Sequence, residues 1–200
     1  LIPDSGSVMF DGQSVLGRKP HEINQMGISR VFQTPEIFSD LSVMENVMIP
    51  CFAKRDGAFR MHAVESIFAE KAIREQAEGI LSDVNMLEKK DMLASSLSRG
   101  DKRRLEMAMC LVQDPRLLLL DEPTAGMARA DTQNTIALLK EIREKRGITM
   151  AIIEHDMNVV FSLAERITVL AQGTPLVEDT PDNIKGHPKV REAYLGEAQV

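Results

Sequence analysis

The sequence predicts an α/β fold in which a mainly parallel sheet carries an inserted helical block. Four consecutive leucines at residues 117–120 have neither helical nor alternating periodicity, which is typical of a strand buried on both faces of a parallel sheet. This run ends in Asp121 and Glu122, and open α/β sheets bind ligands at the carboxyl ends of their strands. Residues 41–111, in contrast, place apolar side chains at near-helical spacing and show few strand signals.

Composition narrows the class of protein. The 200 residues are 44% hydrophobic and 27% charged, as expected for a globular chain of one domain with room for a subdomain. The net charge of −6 argues against a dedicated nucleic-acid binder. Cys51 and Cys110 lack metal-ligand spacing and are interpreted as reduced thiols. Because no apolar run has the length of a membrane span and no signal peptide opens the chain, we expect any link to a membrane to go through a partner.

The first forty residues predict small elements that lead to a polar strand end. Residues 7–15 indicate two short strands around a tight turn, and residues 19–26 a short helix closed by Gly27. Residues 28–32 then predict a strand that is followed by Gln33. An amide at this position is able to reach a metal or a water, and an ordinary loop glutamine remains the alternative.

Residues 41–111 are interpreted as a helical subdomain inserted into the fold. A helix begins at residues 43–48 and is expected to be interrupted by Pro50. Residues 54–57 indicate a loop, and residues 62–81 a second helix. We expect His62 to be a surface residue rather than a ligand.

The end of this subdomain contains a second stretch that indicates a binding site. Ser98 is followed three residues later by Asp101, a pattern that resembles a capping box at a helix start. A well-capped helix with no further role is one interpretation. Gly100 favours another, because glycine in the first turn lets a backbone N–H approach an anion at the positive helix end. With basic residues nearby, this helix start suits a phosphate.

The two acidic residues after the leucine strand suit a magnesium phosphate site. Asp121 is positioned to hold a hard cation directly or through water, and Glu122 to polarise an attacking water. A solvated loop that merely follows a core strand is the alternative. Residues 148–153 predict a second buried strand that ends in Glu154 and His155. Sheet order would bring His155 beside the first acidic pair, although a lone histidine there can also lack a role.

The rest of the chain alternates helices and strands. Residues 131–145 predict an amphipathic helix, residues 157–164 another helix, and residues 167–170 and 174–177 two strands. A short helix after Thr180 and a final helix are expected near the end of the chain.

These residues, in this order, resemble the motifs of an ABC-type ATPase domain. Gln33 after a strand resembles the Q-loop, residues 97–101 (LSRGD) the signature sequence, residues 117–123 (LLLLDEP) the Walker B strand, and His155 the switch histidine. The similarity runs over residues 3–195. Residues 27–33 (GISRVFQ), 125–127 (AGM) and 193–196 (AYLG) resemble, within the family, the ATPase subunits of importers of branched-chain amino acids, urea and short-chain amides.

The resemblance implies a P-loop NTPase core and a mechanism in which two ATPase domains sandwich two ATP molecules. Asp121 would serve Mg²⁺, Glu122 would be the general base, and His155 would contact the γ-phosphate. Gln33 would touch the metal and the attacking water. The signature residues of one protomer, Ser98, Arg99, Gly100 and Asp101, would face the ATP of the other.

Several positions depart from the family pattern. The usual signature has glycine and glutamine where this chain has Arg99 and Asp101. Asp101 brings negative charge towards a phosphate site, although capping its own helix would turn it away. Ala128 stands where many relatives have aspartate or asparagine. No Gly-x-x-x-x-Gly-Lys-Ser/Thr occurs in the sequence, which we interpret as an N-terminal truncation, so we expect these 200 residues alone to be inactive.

The resemblance also implies domains, partners and location. Residues 1–40 and 112–180 would form a RecA-like core, residues 41–111 the helical subdomain, and residues 181–200 a helical tail. The protein would power an importer at the cytoplasmic face of the cell membrane. Its partners would be a second ATPase subunit in a homo- or heterodimer, transmembrane permease subunits and, indirectly, a periplasmic or extracellular solute-binding protein, with no nucleic acid. A non-catalytic ABC-like binding module is the alternative.

A docking groove for the permease is also implied. It would be lined by residues 34–41 and by the helix that starts near Val43. Among its apolar residues, Phe38 and Met44 are expected to be exposed, because an aromatic ring and a flexible thioether suit a docking surface.

Overall fold

The computed structural model describes residues 3–32, 34–56 and 66–194. Its strands are β1 Met9–Phe10, β2 Gln13–Ser14, β3 Ile28–Val31, β4 Leu117–Asp121, β5 Thr149–Ile153, β6 Ile167–Ala171 and β7 Thr174–Asp179. Its α-helices are α1 Pro20–Gln25, α2 Val43–Asp56, α3 Ser66–Asp83, α4 Arg99–Leu111, α5 Arg129–Arg146, α6 Met157–Leu163, α7 Pro181–Gly186 and α8 Pro188–Tyr194. Short 3-10 turns cover Leu87–Lys89 and Ala94–Ser96. In the described ranges, no helix combines the length and the apolar character that crossing a bilayer requires.

A parallel sheet in the order β3-β4-β5 forms the centre of the fold. Leu120 lies opposite Val31 on one side and Ile152 on the other. This register aligns the carboxyl ends of the strands, so the residues that follow them meet at one edge. β1 pairs with β2, and β6 with β7, in separate antiparallel ladders. The α/β fold with a parallel sheet is therefore confirmed.

The leucine strand is less enclosed than the sequence predicts. Leu118 and Leu120 are fully buried, whereas Leu117 and Leu119 on the opposite face are half-buried. The prediction that both faces are buried is correct for one face only.

The prediction of a second buried strand is wrong for β5. Thr149, Ala151 and Ile153 are exposed, and Ile153 retains 68% of its surface. β5 is an edge strand within the described residues, and a cavity of about 890 Å³ separates it from β6. Neighbours therefore cover β5 on fewer sides than β4.

Helix α2 continues through Pro50, where the sequence predicts an interruption. Proline removes one helical hydrogen bond and crowds the preceding turn, a cost of about 3 kcal/mol. Val47, Met48 and Cys51 on either side of it are buried in the main core, and this packing holds the helix together. The predicted loop at residues 54–57 is helical up to Asp56, while Gly57 and His62 lie outside the described residues.

Helix α4 joins the helical segment to the sheet. It packs against α2 and α3 on one side and against β3 on the other. Leu105, Ala108 and Leu111 are fully buried in the core that both regions share. Ser98 is its N-cap, as predicted, and accepts a hydrogen bond from the Asp101 N–H at 3.2 Å. This cap fixes where the helix begins relative to the sheet.

A smaller core lies beyond the sheet. Ile167 and Val169 of β6 pack with Ile184 of α7 and Val190 of α8. The predicted strands and helices of this region are confirmed with boundaries shifted by one or two residues.

Candidate functional site

The carboxyl edge of the parallel sheet gathers the predicted acidic and histidine side chains. Asp121 ends β4, Glu122 follows it, and His155 follows β5. The His155 Nδ1 atom lies 3.3 Å from Glu122 Oε1. The Glu122 side chain is 28% exposed and that of His155 72%. Parallel strand order thus produces the proximity that the sequence predicts, with a sheltered carboxylate beside an accessible imidazole.

Glu122 has a strained backbone. Its φ of +44° lies in the left-handed region, which costs a non-glycine residue on the order of 1–3 kcal/mol and persists only where its surroundings fix it. The Glu122 N–H donates to the Ile153 carbonyl at 2.9 Å, and its own carbonyl accepts from the Ala125 N–H at 3.1 Å. These bonds hold the chain in a turn that aims the carboxylate across the end of β5.

Asp121 is engaged by a residue that the sequence analysis missed. Arg30 Nη2 lies 2.7 Å from Asp121 Oδ2, and its guanidinium stacks over the Phe32 ring at 4.9 Å. Because Arg30 lies opposite Leu119 in the β3–β4 register, it shares a face with Asp121, two residues further along β4. The signal was the alternation of β3, which becomes informative only once this register is known.

Glu154 is a second residue that sequence reasoning left without a role. Its side chain is 1% exposed. It accepts hydrogen bonds from the Thr124 hydroxyl at 2.5 Å and from the Thr124 N–H at 3.2 Å. A third comes from the His155 N–H at 3.2 Å. One buried carboxylate therefore fixes both the loop after the acidic pair and the residue that contacts Glu122.

The start of α4 forms a separate network around Asp101. The Ser98 hydroxyl donates to Asp101 Oδ2 at 2.9 Å, and Lys89 Nζ donates to the same oxygen at 2.6 Å. Burial works to raise the pKa of the Asp101 carboxyl, but the hydrogen bonds from Lys89 and Ser98 outweigh it, so the pKa lies below its usual 3.8. The carboxylate stays charged and is held by its own helix start.

Arg99 connects this helix start to the loop after the acidic pair. Its Nη1 atom donates to the Gly126 carbonyl at 3.4 Å. Gly126 has a φ of +66°, and a Cβ built there would lie 2.7 Å from Arg99 Nη1. Glycine is required here for its backbone conformation and for this close approach. A Cβ on Gly100, in contrast, would meet no atom within 4 Å, so the backbone there is open to a ligand.

The predicted site residues thus fall into two groups. Asp121, Glu122 and His155 meet at the sheet edge, and Ser98 to Asp101 cluster at the start of α4. Gln33 lies outside the described residues, and its role stays a prediction.

The acidic edge suits a magnesium ion that shares its ligands with a phosphate. Mg²⁺ is usually bound by one or two carboxylates together with waters and substrate phosphates. Asp121 supplies such a carboxylate, with 29% of its side chain exposed. In the part of the chain that the structure describes, no three His, Cys, Asp or Glu side chains form a complete metal cage.

One of the two predicted docking residues is exposed. Phe38 is 48% exposed, whereas Met44 is 4% exposed and belongs to the main core. The prediction of an exposed Met44 is wrong, because Met44 lies on the inner face of α2 together with Val43 and Val47.

Comparison with known families identifies two matches. Residues 1–125 match the family described as ABC transporter. Residues 176–200 match the family described as branched-chain amino acid ATP-binding cassette transporter.

Individual proteins are similar over nearly the whole chain. The high-affinity branched-chain amino acid transport ATP-binding protein BraF of Pseudomonas aeruginosa is 35% identical, over 98% of this chain and 78% of its own length. The corresponding LivG protein of Escherichia coli is 36% identical over the same shares.

Solved structures give the same result. The ADP conformation of the ATP-binding cassette MJ1267 superimposes with a TM-score of 0.79 at 29% identity, covering 98% of this chain and 79% of that one. CbiO1 from Clostridium perfringens, part of the cbiONQ transporter complex, gives a TM-score of 0.77 at 27% identity. It covers 99% of this chain and 76% of that one.

Proposed function

Because the chain belongs to the ABC transporter family of ATP-binding proteins, we propose that it hydrolyses ATP to power an importer of branched-chain amino acids. The observation that carries the hydrolytic part is the 3.3 Å contact between Glu122 and His155 beside Asp121. The substrate class is supported by the similarity to BraF and LivG over 98% of the chain and by the match of residues 176–200.

The acidic edge would perform the hydrolytic step. Glu122 acts as the general base that takes a proton from the attacking water. Its sheltered position strengthens the electrostatic attraction between its carboxylate and that water. His155, which is mostly exposed, is free to turn towards a γ-phosphate. Gln33 would contact the metal and the attacking water, as the resemblance to the family implies. Positioning and electrostatic stabilisation supply most of the catalysis in phosphoryl transfer.

Mg²⁺ would be held by Asp121 and, as the resemblance to the family implies, by Gln33. When bound, the ion neutralises charge on the phosphates. To bind the ion, Asp121 would have to give up its ion pair with Arg30, now at 2.7 Å, or contact both cations at once. The ion pair with Arg30 holds this carboxylate in its present orientation.

The start of α4 would bind the ATP held by a second ATPase subunit. Gly100 lies in the first turn of α4 with open space beside its Cα, where a helix amino terminus presents backbone N–H groups to an anion. To donate to a phosphate, the Ser98 hydroxyl would have to turn its proton away from Asp101 Oδ2, to which it now donates. Arg99 adds a cation to this surface, and Asp101 is paired with Lys89, which limits its repulsion of a phosphate.

Permease subunits would dock beside Phe38, and the protein would act at the cytoplasmic face of the membrane, as the resemblance to the family implies. A solute-binding protein would act through the permease. The alternative of a non-catalytic binding module is not favoured, because Asp121, Glu122 and His155 are all present and meet at one edge.

The experiment is reconstitution of the full-length subunit with its membrane subunits in liposomes. Leucine-loaded binding protein should stimulate ATP hydrolysis and drive leucine uptake, whereas the same binding protein loaded with a cationic amino acid should not. Hydrolysis without any response to leucine would contradict the substrate class, and absence of hydrolysis would contradict the enzymatic function.

A further inference from the structure

A buried ion pair in helix α4 contacts the chain at the carboxyl ends of β3 and β4. Arg103 Nη1 lies 3.1 Å from Glu106 Oε2, and each side chain is only 4% exposed. Both residues project from the face of α4 that packs against β3. A buried pair of charges costs desolvation that its mutual attraction often fails to repay, so its stabilising effect alone is a weak reason for its presence.

Arg103 binds the backbone of the acidic pair. Its Nη2 atom donates to the Asp121 carbonyl at 2.9 Å and to the Glu122 carbonyl at 3.3 Å. These are the carbonyls on either side of the Glu122 Cα, where φ is +44°. A guanidinium that bridges them restrains this strained residue, and the direction of the Glu122 side chain depends on it.

Glu106 binds the chain that follows β3. Its Oε1 atom accepts from the Phe32 N–H at 2.9 Å, and the backbone N–H of Glu36 interacts with the same carboxylate. These two groups precede and follow Gln33. Burial raises the pKa of the Glu106 carboxyl, while the Phe32 N–H, Arg103 and the Glu36 N–H act in the opposite direction. The Glu106 carboxylate therefore holds the chain after β3 at Phe32 and Glu36.

We infer that Arg103 and Glu106 are positioning residues, which set the Glu122 carboxylate and the chain at Phe32 and Glu36 at a fixed distance from each other through α4. Because α4 also carries the Ser98–Asp101 surface at its amino end, the pair ties that surface to the hydrolytic edge of the same subunit. This inference rests on the proposed function.

A double variant distinguishes a positioning role of this ion pair from a purely stabilising one. The double variant Arg103→Met/Glu106→Leu replaces the pair by apolar side chains of similar volume, a change that often leaves stability unchanged or increased. We expect it to keep the melting temperature of the parental protein. In the assembled transporter its kcat for ATP should fall at least about 10-fold, since small displacements of catalytic groups have effects of this size, while KM for ATP changes less than about 2-fold.

A second variant covers the case in which the double variant does not fold. Glu106→Gln keeps the shape and one carbonyl oxygen but removes the charge that orients Arg103. In the 200-residue chain, hydrogen exchange of the peptide over residues 28–38 should become faster, and kcat in the transporter should fall in parallel. The matched control is Arg146→Met/Asp83→Leu, a pair joined at 2.5 Å between α5 and α3, which should change neither quantity.

The outcomes distinguish the inference from the function. If the apolar double variant retains both stability and parental kcat, the pair is structural and the inference is wrong. If Glu106→Gln leaves exchange and kcat unchanged, it is also wrong. If the parental transporter itself hydrolyses no ATP, the proposed function fails instead.

Discussion

Strands β4 and β5 lie side by side in one sheet but are packed in opposite ways. Leu118 and Leu120 of β4 are fully buried between β3, β5 and the helices. Ile153 of β5 is 68% exposed, and the cavity of about 890 Å³ lies along this strand. Both strands are apolar in sequence. Hydrophobicity therefore marks a strand as part of the sheet but does not reveal how many neighbours cover it.

The same contrast holds for the polar residues at the two strand ends. The end of β4 is restrained from several sides, by Arg30 at Asp121, by Arg103 at the backbone and by β5 at the Glu122 N–H. The end of β5 depends chiefly on Glu154, which holds Thr124 and the His155 N–H. Glu122 is therefore fixed, and His155 beside it keeps an exposed side chain.

The largest expected effect is the difference in stability between a variant of β4 and a variant of β5. Leu120→Ala should lower the free energy of unfolding by about 2–5 kcal/mol, because it leaves a cavity in a packed core. Ile153→Ala should change it by less than about 0.5 kcal/mol, as expected for an exposed side chain. Urea denaturation of both variants checks this. Equal losses would mean that β5 is as enclosed as β4.

A smaller loss of stability is expected at the start of α4, the helix that packs against β3. Ser98→Ala should cost about 1 kcal/mol through loss of the N-cap. Ser162→Ala is the matched control, because that hydroxyl is exposed and bonds only the Asn158 carbonyl within its own helix. Thermal unfolding measures both. A control that loses as much as the cap variant would contradict the assignment of Ser98 as the cap.

The smallest effect is a pH dependence at Asp101. Its folded pKa is lower than its usual 3.8, so the stabilisation is present above about pH 4 and is lost as pH falls through the folded pKa. Asp101→Asn should therefore flatten the decline in stability below pH 4, and Lys89→Met should flatten the same segment. Unfolding midpoints between pH 2 and pH 6 test this. An unchanged slope in both variants would contradict the network.

Local patterns predict a large part of the fold. The strand of the leucine run and the Ser98–Asp101 cap each depend on residues close in sequence, and both elements are confirmed. The proximity of Glu122 and His155 follows from parallel strand order alone.

Tertiary packing explains what the sequence analysis missed. Pro50 stays inside α2 because its neighbours are buried, and Met44 is buried because of the face of α2 that it occupies. Arg30, Arg103 and Glu106 gain their partners from segments far away in the chain. Pairing between distant segments leaves no periodic signal.

The central claim is that Glu122 is the base of an ATP-hydrolysing site, and one substitution tests it most directly. In the full-length subunit assembled with its membrane subunits, Glu122→Gln should keep ATP binding and lower kcat by at least about 10²-fold, the scale for losing a general base. Glu165→Gln, whose side chain is 82% exposed, is the control and should hydrolyse ATP at the parental rate. Hydrolysis by Glu122→Gln at the parental rate would contradict the claim.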